Sequence, residues 1–542
     1  MSGIDWTILV LTLSGIIFYG IYKSRTTKNL EGYFLSNRSL PWYLVLLSIM
    51  GTQASAITFL TGPGQAYSDG MRFVQYYFGL PLAMIVISIF FVPVYNRLKV
   101  YTAYEFLENR FDLKTRTLTS FLFLLARGLS TGISIFAPSI VLSSLMGWNI
   151  YYTNLVMGGL LIIYTMSGGA KAVAHTQKLQ MIIVFIALFI VGYLAVKLLP
   201  DAVGFTEALH KSGELGKMNI ITTGFTDKGF DWQDKYNIWS GLIGGFFLAL
   251  SYFGTDHSQV GRYLTAKNVK ESRLGLLMNG LVKVPMQFFI LLLGILIFSF
   301  YQFNKAPIYF DQAKVIVAKE TGFKDSLIAL ESRYDAALET ANLNEAVALR
   351  AKYKTVLQQA LPGQDTNDNN YIFLRFVMDY LPVGLIGLII AIIFLASWGS
   401  IAAALNSLAA VTVVDFHKKF FAKKETEIQD YRVSQWYTFG WGIFCIIIAM
   451  FAQNIGNSLI EAVNILGSLF YGVILGIFLV ALGIKFIRGH AVFYAAIVSE
   501  LLVILIYQQQ IVSFLWLNAI GAILVVLLSC GLQLIIKQKA LP

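Results

Sequence analysis

The sequence predicts an all-α polytopic membrane protein, on three observations. Of 542 residues, 57% are hydrophobic and only 13% are charged, about half the charged share of a soluble domain. Mean hydropathy is +0.66, more apolar surface than a soluble fold buries. The apolar residues also fall into separate runs approaching the ~20 needed to cross a bilayer. This balance excludes a nucleic-acid binder, a secreted disulfide scaffold and a coiled coil. Cys445 and Cys530 both lie in apolar runs, so neither a structural zinc site nor a disulfide is expected. The net charge of +11 fits basic cytoplasmic loops.

Thirteen runs are expected to span: 5–22, 41–60, 74–94, 117–145, 150–167, 178–199, 238–261, 274–302, 376–412, 434–452, 457–484, 490–507 and 511–535. The first follows no basic n-region and no small-residue cleavage site comes after it, so it reads as a span and not a cleavable signal. With the first inter-helix loop (Lys23, Arg25, Lys28, Arg38) in the cytoplasm, that side also collects Arg97, Lys99, Arg110, Lys114, Arg116, Lys171, Lys178, Arg262, Lys267, Lys270 and Arg273. Lys418, Lys419, Lys423, Lys424, Arg432, Lys485, Arg488, Lys537 and Lys539 follow on the same side. The short external loops hold little beyond Arg72. The N-terminus is therefore expected outside and the C-terminus in the cytoplasm.

Two external segments are long. Residues 200–237 are polar, with turn signals such as Lys211-Ser212-Gly213. Residues 303–372 carry 17 charges of mixed sign, and Phe323–Gln359 has the composition of surface helices.

Polar groups at mid-depth are costly in lipid and mark function. The second run holds a small, polar patch from Gly51 to Thr58. The seventh holds another, Ser251 to Gln259. These runs open two groups of five, spans 2–6 and 7–11. Because five is odd, the groups enter from opposite sides, as in an inverted repeat with its site at the repeat interface. The ninth run carries Ser397 and Ser400 on one face, oxygen donors suited to a small monovalent cation. Arg127 and Lys283 lie inside spans four and eight. A guanidinium at that depth faces a polar cavity or a partner, with Asp256 the main protein competitor for Arg127. Lys283 is open between site and structure.

The residues resemble the solute:sodium symporter family, through Tyr33-Phe34-Leu35-Ser36-Asn37-Arg38-Ser39-Leu40-Pro41-Trp42, Tyr101 to Leu107 with Arg110-Phe111, and Tyr164 to Gly169. Gln259-Val260-Gly261-Arg262-Tyr263-Leu264 and Leu405 to Thr412 complete the set. The last two look most like the iodide, multivitamin and monocarboxylate carriers. The resemblance implies a LeuT-like core of 5+5 helices. It carries a sodium site onto Gly51, Ala54, Ala396, Gly399 and Ser400. It also implies a substrate site among Gln53, Thr58, Tyr76, Tyr77, Tyr252 and Arg127 or Lys283. The chain departs from the family at Gly399, where a serine is usual beside Ser397, and at Gln177, where an aspartate is usual. Gln53, Thr58 and Tyr77 do not match the sugar carriers' pattern.

The expected division is 1–40 (first helix and loop), 41–302 (first repeat and start of the second), 303–372 (extracellular insertion), 373–484 (remainder of the second repeat) and 485–542 (last helices and tail). The expected function is sodium-coupled import of a small anionic organic solute by alternating access. The alternative is a transporter-like sensor or scaffold with lost coupling. The expected partners are sodium, the solute and the bilayer, with no nucleic acid and no cofactor beyond Na+. The five scattered histidines form no His-Glu-x-x-His motif, so an enzyme is not expected.

Overall fold

The computed structural model describes residues 1–24, 30–201, 203–340, 342–421, 427–452 and 458–535, without the side chains of 21, 23, 24, 30, 167–172, 343, 344, 427 and 428. Arg25, Lys28, Lys423, Lys424, Lys537 and Lys539, and the side chains of Lys23 and Lys171, therefore lie outside the described residues. The principal helices are α1 (Gly3–Ser24), the pair α2 (Trp42–Gln53) and α3 (Ile57–Asp69), α4 (Met71–Leu98), α5 (Leu113–Met146) and α6 (Ile150–Lys197). Then come α7 (Ser240–Gly254), α8 (His257–Leu264), α9 (Val269–Phe303), α10 (Lys324–Glu339) and α11 (Leu343–Ala360). The last are α12 (Leu385–Phe421), α13 (Glu427–Phe451), α14 (Leu459–Gly483), α15 (Gly489–Gln508) and α16 (Phe514–Ile535).

Among the described residues ten helices are long and apolar enough to cross a bilayer. The bent pair α2–α3, taken as one span, brings the number to eleven, and two shorter apolar helices, Ile150–Met166 and Ser240–Gly254, match the runs that remain. The fold is all-α, around a core of two five-helix repeats.

Both expected breaks are present. α2 and α3 meet at 62°, where Ala54 leaves the helical region (φ −79, ψ 75). α7 stops at Gly254. Asp256 then adopts an extended backbone and starts α8, its carboxylate accepting from Ser258 N at 2.8 Å. Small residues surround each break, so neighbouring helices approach closely. A Cβ on Gly51 would stand 2.8 Å from Gln177 Cγ, and one on Gly294 of α9 would stand 2.2 Å from the Pro63 carbonyl of α3.

Spans five and six form one helical run of 48 residues. Tyr164 Oη and Thr176 Oγ1 are nevertheless 2.9 Å apart. A straight helix would separate their backbones by about 18 Å, beyond the reach of the two side chains. The run therefore bends sharply between them.

Three expectations change. The run 376–412 is divided: Ile372–Tyr380 is a separate helix, and α12 begins at Leu385. Pro382 lacks the N–H needed to continue a helix, and Gly384 turns the chain at φ +92. Lys211-Ser212-Gly213 is no turn but part of the helix Phe205–Glu214. There Ser212 is buried and its hydroxyl lies 2.6 Å from that of Ser299 on α9, so tertiary packing overrides local preference. Arg116 and Arg262, counted among the cytoplasmic cations, are buried helix residues at 3% and 2% exposure. Arg116 pairs with Asp415 and Glu108. The insertion has its own core, Leu327, Leu330, Tyr334, Tyr353 and Leu357, so α10 and α11 form a folded hairpin.

α12 is buried along nearly all of Leu385–Val411. α1 packs against it and caps it. The buried Asp5 carboxylate accepts from Gly384 N (2.6 Å) and Gly387 N (3.2 Å), two of the unpaired donors that open a helix. The insertion returns across α3, where Ser68 Oγ donates to Asn369 Oδ1 (2.8 Å). Asn370 Oδ1 accepts from Leu459 N at the start of α14 (3.3 Å).

Candidate functional site

The α2–α3 break opens onto a cavity of about 150 Å³ between α2, α4, α5, α7, α9, α12 and α14. The second break lies beside it, since Tyr252 and Phe253 at the end of α7 line the same space. Gln53, Thr58, Tyr76, Tyr77, Arg127, Tyr252 and Lys283 all line it, as does Ser400. Gly51, Ala54, Ala396 and Gly399 do not line it. They sit at the α2 end and on α12 behind its wall.

Tyr76 and Tyr77 pack edge to face at 4.8 Å. Tyr76 Oη donates to Asn464 Oδ1 of α14 at 3.0 Å, and Phe73 stacks beneath Tyr76 at 5.5 Å. Tyr252 Oη accepts from Gln259 Nε2 of α8 at 2.8 Å. The rings of Tyr252 and Tyr471 lie 5.8 Å apart.

The two intramembrane cations of the sequence reading differ. Arg127 forms an ion pair with Asp256, its Nε 3.1 Å from Oδ2. Tyr471 accepts from Arg127 Nη2 (2.8 Å) and donates to Asp256 Oδ2 (2.9 Å). The competitor named in the sequence has therefore claimed this guanidinium, which also stands over the Tyr252 ring at 5.2 Å. Lys283 is 2% exposed, and no hydrogen-bond or ion-pair partner meets it among the described residues. Its Nζ stands 5.7 Å from the centroid of the Tyr77 ring. A buried ammonium without a counter-ion is costly, and here it borders a cavity.

Gln177 of α6, fully buried, reaches between α2 and α12. Its Nε2 donates to the Gly399 carbonyl (3.1 Å) and to Thr52 Oγ1 (3.2 Å), while Ser48 Oγ donates to its Oε1 (2.8 Å). One turn on, Gln180 Oε1 fills the space of an absent side chain at Gly399, where a Cβ would stand 2.5 Å from it. Both polar atoms of Gln180 lack partners. Ser400 Oγ donates to Ser397 O at 3.0 Å, and Ser397 Oγ is buried and unpartnered. The donors here are carbonyls, hydroxyls and amides, a set that suits a monovalent hard cation.

Sequence reasoning did not single out Tyr471, Asn464, Ser48 or Gln180, and it reached Thr52 only as part of the patch from Gly51 to Thr58. For Gln180 a signal existed, its i, i+3 spacing from Gln177 on one helix face.

The sodium:solute symporter family model matches residues 33–330 and 346–512. The chain belongs to the sodium:solute symporter family. It is 27% identical to the sodium-dependent multivitamin transporter of Oryctolagus cuniculus over 88% of this chain and 66% of that one, so it spans just under two thirds of that relative's length. It is 24% identical to the sodium/sialic acid symporter NanT of Aliivibrio fischeri, over 97% of this chain and 92% of that one. A sodium-coupled sialic acid symporter solved in a substrate-bound, outward-open state superposes with a TM-score of 0.79, at 22% identity over 99% of this chain and 98% of the other. The symporter fold is thus shared along the whole length. As a family member the chain is a multi-pass secondary transporter with sodium as its coupling ion, not an enzyme.

Proposed function

We propose that this symporter imports a small organic anion with sodium across the cell membrane, with its N-terminus outside and its C-terminus in the cytoplasm. The observation that carries the anionic part is Lys283. It is the cation at the cavity wall that no carboxylate neutralises among the described residues, whereas Arg127 is satisfied by Asp256. A solute carboxylate entering beside Lys283 removes the cost of the bare ammonium, and the Tyr76 and Tyr77 rings close above it. The lipid partner is supported by apolar side chains standing outward on the spans, such as Phe18, Phe90, Ile163 and Leu527.

Sodium bound by the carbonyls of Gly51, Ala54, Ala396 and Gly399 and the Ser400 hydroxyl ties the broken α2 to α12. It thereby orders the cavity wall to which Ser400 and Gln53 belong. Ion and solute share this wall, so each tightens the other by the same factor. Relative motion of the two repeats then changes the side to which the cavity opens.

The decisive experiment is uptake into proteoliposomes of a panel of carboxylates and their neutral amides, with inward sodium or potassium gradients. Sodium-driven accumulation of carboxylates over amides supports the proposal. Equal accumulation of both removes the anionic solute. The sensor or scaffold reading draws on the neutral Gln177 amide at the Gly399 carbonyl, and gradient-independent binding without uptake would favour it.

A further inference from the structure

α8 is a polar helix buried on every side. All eight of its residues are buried. Five of them carry polar atoms with no partner: His257 Nδ1, Ser258 Oγ, Gln259 Oε1, Arg262 Nε and Nη1, and Tyr263 Oη. Native proteins hold a few such atoms per hundred residues, and each asks for a ligand, an ion or water. The helices packed against α8, chiefly α2 and α12, carry more of them at Gln53 Nε2, Ser397 Oγ, Trp398 Nε1 and Asn406 Oδ1.

α8 leads away from the cavity. At one end Gln259 holds Tyr252 of the cavity wall. At the other, Thr265 O and Lys267 N pair with Leu40 at 3.0 and 3.1 Å, where α2 begins. A row of hydrogen-bonding groups with nothing to bond, running from a cavity to one face of a bundle, has the chemistry of a water-lined route held shut.

Arg262 gives that route a sign. It is among the largest fully buried side chains, and no acid meets it among the described residues. The acids nearest in sequence are engaged elsewhere: Asp256 by Arg127 and Tyr471, and Glu271 by Trp42 N at 2.5 Å. A guanidinium stays charged under all ordinary conditions and presents a fork matched to carboxylate or phosphate.

We propose that Arg262 is a second anion-binding site, on the route from the cavity to the cytoplasm, which takes the carboxylate or other anionic group of the solute from Lys283 as the packing around α8 opens. This rests on the anionic-solute reading and on the proposed orientation, and its test needs no transported solute.

In a Cys445→Ala, Cys530→Ser background, Ser258→Cys is exposed in inverted membrane vesicles without sodium to two methanethiosulfonate reagents of similar size. One carries a sulfonate, the other a trimethylammonium group. The sulfonate reagent is expected to react about tenfold faster at low ionic strength, as a nearby fixed cation dictates. The preference is expected to vanish in Arg262→Gln and Arg262→Met and to survive in Arg262→Lys. An unchanged ratio in either neutral variant overturns the proposal, as does a Ser258→Cys thiol unreactive to both reagents. Failure there with carboxylate-selective uptake intact removes Arg262 alone. Failure of carboxylate selectivity removes the reading on which the proposal rests.

Discussion

Gln177 donates from its side-chain amide to the carbonyl of Gly399, 3.1 Å away on α12, and the same nitrogen donates to Thr52 on α2. A neutral donor thus satisfies an acceptor at the junction where the family resemblance puts a cation. At the proposed sodium site, ion and amide would compete for that oxygen.

Gln177→Asp is expected to raise apparent sodium affinity. The carboxylate attracts the cation and cannot donate to Gly399 O, so the sodium-free protein is also destabilised. A sodium titration of thermal stability reads both effects, because a ligand that binds the folded state stabilises it with rising concentration. An unchanged sodium response in a folded, transporting variant takes Gln177 off the ion route.

Ser400→Ala should weaken sodium activation more than Ser397→Ala. Ser400 lines the cavity, and losing one oxygen from the ion should cost about 1–3 kcal/mol, by analogy with a lost hydrogen bond to a charged group. Ser397 Oγ has no partner to lose. Equal sodium activation constants in wild type and Ser400→Ala would disprove the assignment.

Lys283→Met and Arg127→Gln should separate cleanly. The first is expected to raise KM for carboxylates at least ~10-fold, as loss of a charged contact worth about 1.5–3 kcal/mol implies, and to leave neutral amides unaffected. The second strands Asp256 in the interior, at a cost of roughly 3–5 kcal/mol, and should show mainly as a lower melting temperature. If Arg127→Gln keeps its stability and loses carboxylate preference, the two roles are reversed.

Asp368 ties the insertion together. Burial alone would raise its pKa, but Arg350 and Lys354 outweigh burial and hold it below the usual carboxylate range. Its contribution is therefore complete above the ordinary value of 3.8 and is lost as pH falls through the lower folded value. Asp368→Asn should loosen the hairpin at neutral pH by roughly 1–3 kcal/mol, seen as faster proteolysis within α10 and α11. Wild type should reach that rate only in strong acid, and equal rates at neutral pH would refute the clamp.

Orientation is checked by labelling Ser332→Cys from outside intact cells and Lys485→Cys only after permeabilisation. The opposite pattern would invert the topology.

The two helix breaks were legible because small, polar residues interrupt otherwise apolar runs, and lipid makes such interruptions expensive. The cavity residues followed from the breaks and from the family resemblance. Tyr471 and Asn464 were missed because the polar residues of α14, Glu461, Asn464 and Ser468, stand singly and form no patch, and only three-dimensional packing turns Tyr471 and Asn464 to the cavity. Arg262 was misread for the opposite reason. A cation near the end of a run looks like a loop residue, and nothing in one sequence shows that α8 is enclosed by α2 and α12. The Arg127–Asp256 pair was named as a competitor, but its formation depends on how far α5 lies from the second break, which spacing along the chain does not encode.

Asp5 accepts from both Gly384 and Gly387, and a Cβ on Gly387 would stand 2.1 Å from the Asp5 carbonyl. α1, which belongs to neither repeat, is thus locked to the head of α12 with no room to slide. Any motion that keeps these contacts carries the two helices as one body. A spectroscopic reporter placed at the Asp5 end of α1 would serve as a reference mark, against which displacements of the rest of the bundle are measured without touching the permeation route.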